Sequence, residues 1–469
     1  MTLLVRVPDL HMQERRYVLD VVLGEWLGLP FELLPHDALD VVITLAGDDS
    51  GAALSMSDRF FATPDADWLT DRSLPTEPLQ RIYPESVSPG SNGATKALPL
   101  LFGDPGADGG GWHRVDTGLN LPVDVFGTVF FLLSRYEELV KPDRDAHGRF
   151  PSTASVLGAE EWVDRPIADE YTDLLWRGIH GLWPAVVRRE STFRIRLTHD
   201  VDKPWAVMGM PLRSIAQSLA ADLVVRRDVG LSIARLRSLA TVGSGRVDHD
   251  PLDRFDLFMD VAERHGQRTT FYFHAGGTSA DFDFRYRPTD PSVARLMRQI
   301  HDRGHEIGLH TSYVSHLSIE RTRHEFEALV AACEAMGFSQ ESYGVRQHFL
   351  RFENPATWRI QDAVGLAHDS TVGFFDRIGF RAGTSREFPV YDLIDRRVLR
   401  LRERPLLAMD STLLQYMHLS LDDAATRVRR LVAACRIHGG TAVLLYHNNT
   451  MQGQSFEAHY RALIDGLFG

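Results

Sequence analysis

Cysteine and lysine are both scarce in this chain of 469 residues. Cys333 and Cys435 are its two cysteines, which excludes a four-cysteine zinc site and a disulfide framework. Its three lysines are Lys96, Lys141 and Lys203, so few residues are available for Schiff-base chemistry. Any metal or nucleophile chemistry must therefore rest mainly on other residue types.

Long apolar runs are also missing. The longest stretches, such as VFGTVFFLL at 125–133, are far shorter than the roughly 20 residues that a membrane-spanning helix needs. The first residues lack a charged segment followed by a continuous apolar segment and a small-residue cleavage site. We therefore expect a cytoplasmic protein with reduced thiols and no membrane span.

The charge is unevenly distributed along the chain. The net charge is −12 and no basic run occurs, which argues against a partner such as nucleic acid. Residues 1–190 contain 16 basic and 30 acidic residues and five of the 20 histidines, whereas residues 191–469 contain 35 basic and 33 acidic residues and 15 histidines. This contrast predicts two domains that meet near residue 190.

The first half mixes short apolar runs with helical patterns. A stretch rich in Gly, Pro, Ser and Asp at 83–111 is typical of a long surface loop. Apolar residues at helical spacing predict helices at 124–140 and 167–183. Residues 1–190 therefore look like a small α+β domain.

From residue 193 onward, short strand patterns alternate with helical ones. The predicted strands begin with FRIRLTHDVD (193–202), where apolar and polar residues alternate, and include TTFYFHAGG, HEIGLHTSY, YGVRQHFL, LAHDSTVG and TAVLLYHNN. A helical insertion is expected at about 206–241, and a helix opened by Pro251 follows it. Such alternation predicts an α/β architecture of parallel β/α units, for which closure into a distorted barrel is one arrangement.

Polar residues with catalytic chemistry collect at the predicted strand ends. Asp200 and Asp202 lie on one face if their strand continues, because successive strand side chains point to opposite faces. The simpler interpretation is that Asp200 ends the strand and Asp202 caps a helix. Three further strand ends carry His310, the pair Arg346 and His348, and His447.

These motifs resemble the polysaccharide deacetylases of the NodB-homology group over residues 191–450. THDVD is similar to the family's first motif, TTFYF to its "ATFF" strand, and GHEIGLHT to its metal-binding segment, while GVRQH and LLYHN follow in the family's order. The resemblance implies a metal-dependent N-deacetylase on a distorted β/α barrel. It implies that Asp200 is the general base, Asp202 and His310 are metal ligands, Arg346 orients the base and His447 is the general acid.

One position departs from the family pattern. The usual motif is His-x-x-x-His, but the residue four after His310 is Val314. The first choice for the third ligand is His348, which lies at a strand end beside Arg346. His316 is the second choice, because it lies in the right loop with the wrong spacing. A site without a full ligand set is the remaining alternative.

The implied cofactor is a divalent metal ion. Imidazole ligands favour Zn, and Co, Ni or Fe would suit the same ligands. The implied partner is an N-acetylated sugar or glycan intermediate, since a cytoplasmic enzyme would meet a biosynthetic precursor rather than an extracellular polymer.

Parts of the sequence also fit other classes of function. Four His-Asp dipeptides, at 199–200, 249–250, 301–302 and 368–369, suggest an HD-type phosphohydrolase, but that class is all-helical and the first dipeptide lies in a strand pattern. A metal-free pseudoenzyme that binds carbohydrate or acts as a scaffold, and a hydrolase of another amide or imide, are the further alternatives.

Overall fold

The computed structural model describes residues 1–83, 97–104, 113–115, 117–208, 210, 212–224, 227–241, 250–277, 279, 281–283, 286–450 and 454–469. Two large sheets organise the chain, one on each side of residue 190. Within the described residues, no helix is both long and apolar enough to cross a membrane.

The first part is built on a six-stranded sheet. Its strands, together with a separate two-stranded ribbon, are β1 (Leu3–Pro8), β2 (Phe31–His36), β3 (Val41–Leu45), β4 (Leu54–Met56), β5 (Gln80–Ile82), β6 (Leu98–Leu100), β7 (His113–Val115) and β8 (Gly118–Leu121). The sheet order is β2-β1-β3-β4-β8-β7, and β5 pairs with β6. The helices of this part are α1 (Met12–Leu19), α2 (Val125–Leu133), α3 (Tyr136–Val140), α4 (Glu160–Val163) and α5 (Ile167–Leu182).

Two predictions for the first part need correction. The region 124–140 is two helices, because Arg135 adopts a left-handed backbone (φ 51°) that separates α2 from α3. The turn-rich stretch 83–111 contains a strand, β6, which pairs with β5; residues 84–96 and 105–111 of that stretch lie outside the described residues. The helix predicted at 167–183 is confirmed as α5.

The second part is built on a nine-stranded sheet. Its strands are β9 (Arg194–Val201), β10 (Thr269–His274), β11 (Glu306–Thr311), β12 (Gly344–Gln347), β13 (His368–Asp369), β14 (Phe388–Asp392), β15 (Arg397–Glu403), β16 (Ala408–Met409) and β17 (Thr441–Leu445). Its helices are α6 (Leu212–Val224), α7 (Val229–Thr241), α8 (Phe255–Arg264), α9 (Pro291–Asp302), α10 (Ile319–Ala335), α11 (Ala356–Val364), α12 (Leu421–Ile437) and α13 (Gln454–Phe468).

The strand order is β14-β15-β13-β12-β11-β10-β9-β17-β16. Every neighbouring pair is parallel except β14 with β15. Among the described residues β14 and β16 are edges, so the sheet is a curled half-barrel rather than a closed ring. The predicted α/β class, with a small α+β region before the barrel-type sheet, is confirmed. Parallel strands end at the same edge, and this places their carboxyl-terminal residues together.

Several element boundaries differ from the sequence predictions. The helix expected from Pro251 begins at Phe255. The strand expected in LAHDSTVG is only the two residues of β13. The insertion expected at 206–241 is a hairpin of two helices, α6 and α7.

A single apolar core extends through both parts of the chain. Tyr17 of α1 and Phe130 of α2 pack against Tyr391 of β14, with ring centroids 4.9 and 5.2 Å apart. The Tyr17 hydroxyl also donates to the carbonyl of Pro389 at 2.7 Å. The boundary at residue 190 stays a prediction, and the two sides of it are closely packed.

Candidate active site

The candidate site lies where four neighbouring parallel strands end. Asp200 belongs to β9, His274 is the last residue of β10, His310 belongs to β11 and Arg346 to β12. The strand register pairs His274 with His310 and His310 with Arg346. Backbone pairing therefore places these side chains beside one another at the same end of the sheet.

Three buried imidazoles of this edge each have Nδ1 hydrogen-bonded to an oxygen. Nδ1 of His274 is 3.0 Å from the carbonyl of His310, and Nδ1 of His310 is 2.9 Å from the carbonyl of Arg346. Nδ1 of His348 is 2.8 Å from a carboxylate oxygen of Asp283. Since these oxygens accept, each Nδ1 donates a proton, and Nε2 is the ring atom that each histidine directs toward the cluster.

The three Nε2 atoms converge on Asp202. Oδ1 of Asp202 is 3.1 Å from Nε2 of His310, 3.6 Å from that of His348 and 3.8 Å from that of His274. One ligand atom from each of these four residues lies within 4.8 Å of the other three. Among the residues that the structure describes, the buried Nε2 of His274 has no hydrogen-bond partner, which suits a metal ligand. The donor set fits a divalent metal ion.

The pKa shifts of Asp202 and His274 agree with this assignment, whereas in His310 the carboxylates of Asp200 and Asp202 outweigh burial and raise the pKa. Burial favours the neutral acid, but the hydrogen bond from His310 and the surrounding imidazoles lower the pKa of Asp202 well below its usual range. Burial, followed by the proximity of His310 and His348, lowers the pKa of His274 far below its ordinary value. An ionised carboxylate and a neutral imidazole are the forms that bind metal.

Asp200 and Arg346 form a second group beside this cluster. Nη1 of Arg346 is 3.9 Å from Oδ1 of Asp200, and the other carboxylate oxygen is 3.8 Å from Nε2 of His310. Nη2 of Arg346 donates to the hydroxyls of Thr198 (3.2 Å) and Ser370 (3.1 Å), which fix the guanidinium. Oδ1 of Asp200 is buried and has no hydrogen-bond partner in the described part of the chain, which leaves it available to accept a hydrogen bond.

His447 and Asp410 form the third group. Nδ1 of His447 is 2.6 Å from Oδ1 of Asp410, and Nε2 is 3.8 Å from Oδ2 of Asp202. Thr450 also donates to Asp410. Burial lowers the pKa of His447, but the neighbouring carboxylates, Asp410 first, outweigh it and raise that pKa to about 10. The imidazole is thus held protonated and oriented by a buried carboxylate.

These groups open into a cleft of about 580 Å³. Its lining residues are Arg149, Asp200, Asp202, Asp281, Phe282, His310, His348, Phe349, Leu350, Met409, Ser411, Leu414, Gln415, Tyr416, His447, Asn449 and Thr450. A cleft of this size accommodates a small ligand of a few rings.

Arg149 is the lining residue that comes from the first part of the chain. Nε and Nη2 donate to Asp145 at 2.9 and 2.7 Å, which holds the guanidinium in place. Nη1 donates to the carbonyl of Phe349 and Nη2 to the hydroxyl of Tyr416, both at 3.2 Å. The guanidinium carbon lies 3.7 Å from the ring centroid of Phe375. The region before residue 190 therefore builds one wall of the cleft.

The structure brings the six principal predicted residues together, namely Asp200, Asp202, His310, Arg346, His348 and His447. The alternative ligand His316 lies in a short turn (Ser315–Leu317) and is not one of the four grouped donors. Burial lowers the pKa of His316 to about 4. Its Nδ1 has no hydrogen-bond partner in the described part of the chain.

Sequence reasoning missed His274, Asp410, Asp283 and Arg149. His274 follows the apolar run TTFYF, and it has the same strand-end signal that singled out His310. Asp410 follows the apolar run LLAM in the same way. Asp283 and Arg149 carry no such signal, because each lies in a loop that only the tertiary structure brings to the site.

The chain is similar to a family model in its first part and to several solved structures over about 60% of its length. A model of a family of unknown function (DUF7033) matches residues 3–184. No curated protein matches the chain. A solved structure from Mycobacterium smegmatis, named as a polysaccharide deacetylase, is similar to the chain, with 16% identity and a TM-score of 0.38 over 60% of this chain and 85% of that one.

Two further solved structures are similar to the chain. One is named as a polysaccharide deacetylase of Pseudomonas aeruginosa PAO1, with 12% identity and a TM-score of 0.36 over 61% of this chain and 86% of that one. The other is a mutant of a CE4 family pseudoenzyme with restored enzymatic activity, with 13% identity and a TM-score of 0.31 over 59% of this chain and 62% of that one.

Proposed function

We propose that this chain is a metal-dependent hydrolase that removes an N-acetyl group from an amino sugar or glycan biosynthetic intermediate. The observation that carries the proposal is the convergence of three imidazoles, each with Nδ1 hydrogen-bonded to an oxygen, on Asp202. A proton-accepting carboxylate (Asp200) and a protonated imidazole (His447) lie against this cluster, and hydrolysis of an amide needs both.

Asp202, His310 and His348 are the proposed metal ligands, and His274 is the fourth. A divalent ion held there would supply Lewis-acid chemistry for the hydrolysis of an amide. These imidazole and carboxylate donors suit Zn, the metal that we propose, and also Co, Ni or Fe.

The chain's own groups supply the proton transfers. Asp200 accepts a proton from the attacking water through its unpartnered oxygen. Arg346, fixed by two hydroxyls, orients that carboxylate. His447 donates a proton to the leaving amine, and Asp410 keeps its ring aligned. Arg149 and the rings of Phe349 and Tyr416 form the wall against which a sugar would bind.

The HD-type alternative loses its support at His199. This ring stacks on Phe258 with centroids 3.8 Å apart, on the opposite face of β9 from Asp200, so the dipeptide does not present two ligands to one ion. A hydrolase of another amide or imide would use the same groups. We further propose that the enzyme acts in the cytoplasm.

Metal content and acetate release test the proposal together. The purified chain, loaded with Zn or Co, is expected to bind about one ion and to release acetate from at least one member of a panel of N-acetyl sugars. Asp200→Asn should keep the metal and lose turnover. A chain that binds no metal and remains inactive after metal addition would refute the hydrolase and favour the pseudoenzyme alternative.

A further inference from the structure

The helical hairpin formed by α6 and α7 exposes most of its large apolar side chains, whereas Ile215 is buried and Leu219 and Leu231 are half-buried. Seven large apolar residues of the hairpin are exposed: Leu212, Leu223, Val224, Val229, Ile233, Leu236 and Leu239. Exposure reaches 76% at Leu212 and 61% at Val229. The side chains that α7 buries are instead Ser232, Arg235 and Ser238. A surface helix normally turns its apolar face toward the protein core. In α7 the polar face is buried and most of the large apolar side chains are exposed.

The exposed apolar residues form a stripe along each helix. In α7 the positions 229, 233 and 236 repeat at the four- and three-residue spacing of one helical face. In α6 the positions 212 and 223 lie three turns apart on one face, with Ala216 and Leu219 between them. Exposed large apolar side chains concentrated on one hairpin normally mark an interaction site.

The charges beside these stripes are mainly positive. Arg213, Arg227 and Arg237 are exposed, and no ion pair to any of them is seen within the described residues. Asp222 is buried and bound to Arg235 at 2.6 Å, so the one acidic residue exposed in the described hairpin is Asp228. The hairpin surface is thus basic in a chain whose net charge is −12.

We propose that the α6–α7 hairpin docks the protein on an anionic lipid bilayer. An apolar stripe flanked by arginines is the pattern of a helix that lies in the plane of a membrane interface, where the apolar face enters the acyl boundary and the arginines meet the headgroups. The charge pattern disfavours the symmetric pairing of two hairpins from two copies of the chain, because two positively charged surfaces would repel one another.

In the sequence, the hairpin follows a strand that carries part of the candidate site. The hairpin is inserted after β9, whose final residues include Asp200, so it leaves the sheet at the edge that carries the candidate site. A membrane contact made there would hold the cleft close to substrates that are attached to lipid.

Vesicle flotation of the full chain tests the proposal without any need for activity or metal. We expect binding to phosphatidylcholine vesicles that contain about one-third phosphatidylglycerol, weak binding to pure phosphatidylcholine, and release as salt rises. The pair Ile233→Ser and Leu236→Ser should weaken binding about tenfold or more, and so should the pair Arg213→Gln and Arg237→Gln.

Matched controls come from exposed positions elsewhere. Ile437→Ser, at a side chain exposed to 77% at the end of α12, and Arg72→Gln should leave vesicle binding unchanged. Circular dichroism should show that all variants are folded, since the replaced side chains are exposed. Absence of binding to the anionic vesicles, or equal binding by the hairpin variants, would overturn the proposal. A concentration-dependent dimer that the apolar substitutions abolish, without vesicle binding, would assign the hairpin to self-association instead.

Discussion

Histidines of similar local chemistry have different roles in this protein because of the direction in which they point. His199 and His274 are both buried, and each has Nδ1 bonded to a backbone carbonyl and an Nε2 with no hydrogen-bond partner within the described residues. Burial lowers the pKa of both, that of His199 to about 3. His199 faces Phe258, whereas His274 faces Asp202, so only the second can be a metal ligand.

Replacement of His274 should therefore weaken metal binding. We expect His274→Ala to lower the affinity for Co or Zn at least tenfold, about the size of loss seen when even a supporting residue of a metal site is removed. Isothermal titration calorimetry of the metal-free chain measures this directly.

His316 provides the matched control. It is a buried histidine near the same strand edge, but its ligand atoms are not grouped with those of Asp202. His316→Ala should leave metal affinity unchanged, and His348→Ala should lower it as His274→Ala does. A loss of metal with His316→Ala alone would move the third ligand to that position.

Asp410 should matter for turnover and not for metal binding. Its carboxylate contacts both the ring and the backbone nitrogen of His447, so Asp410→Asn removes the charge that keeps the imidazole protonated. We expect kcat for acetate release to fall about a hundredfold, the usual contribution of a general acid. Metal content should stay at the wild-type level, and Asp422→Asn, on the surface of α12, should change neither quantity.

At the scale of elements, a charged hydrogen bond joins α5 to the end of α12. Nδ1 of His438 lies 2.7 Å from Oδ2 of Asp173, and Arg188 pairs with the same carboxylate. Burial would lower the pKa of His438, but Asp173 and its acidic neighbours raise it above the ordinary value. Burial would raise the pKa of Asp173, whereas the bonds from His438 and Arg188 lower it.

This pair should make stability depend on pH. Because the folded-state pKa of His438 is raised, its contribution is complete below the unfolded value of about 6.5 and is lost as pH rises through the folded pKa. Urea unfolding should show His438→Gln to be less stable than the wild type by about 1 to 2 kcal/mol at pH 6, with the difference shrinking by pH 9.

At low pH, the stabilisation from this pair depends on the charge of Asp173. Its lowered pKa means that the stabilisation is present above about pH 4 and is lost as pH falls below its folded value. His324→Gln, at an exposed position of α10, is the control and should match the wild type at both pH values. A constant difference for His438→Gln from pH 6 to pH 9 would contradict the ion-pair assignment.

At the scale of the whole molecule, buried ion pairs link the part of the chain before residue 190 to the part after it. Glu138 of α3 receives bonds from Arg381 at 2.8 and 2.7 Å and from Arg135 at 2.9 Å. Burial alone would raise the pKa of Glu138, but the two guanidiniums lower it to about 2. This network and the shared apolar core make separate unfolding of the two parts unfavourable.

Loss of the Glu138 charge should destabilise the whole chain. Glu138→Gln leaves two buried guanidiniums with less compensation, and we expect a loss of about 3 kcal/mol in the free energy of unfolding. Tryptophan fluorescence and circular dichroism should report one coincident transition. Glu161→Gln breaks the exposed pair with Arg81 and should change stability by less than about 1 kcal/mol. Two separated transitions would show that the parts are independent.

The sequence alone determined the elements whose signals are local. Alternating and continuous apolar patterns located β9, β10, β11, β12 and β17, and parallel pairing then required Asp200, His310, Arg346 and His447 to meet at one edge. The same rule applied to His274 would have added the fourth metal donor. The break at Arg135 and the two-residue strand β13 have no comparably strong local signal.

Only the tertiary structure decided the features that depend on distant contacts. The strand-end position favours His348 over His316 in the sequence, but only the fold shows that Asp283, in a distant loop, bonds Nδ1 of His348 while Nε2 faces Asp202. Arg149 lies in a loop about 50 residues before Asp200 in the sequence. Its guanidinium packs against the ring of Phe375 and lines the cleft. The reverse orientation of α7 likewise emerges only when burial is known, since its periodicity predicts an apolar face but not the direction in which that face points.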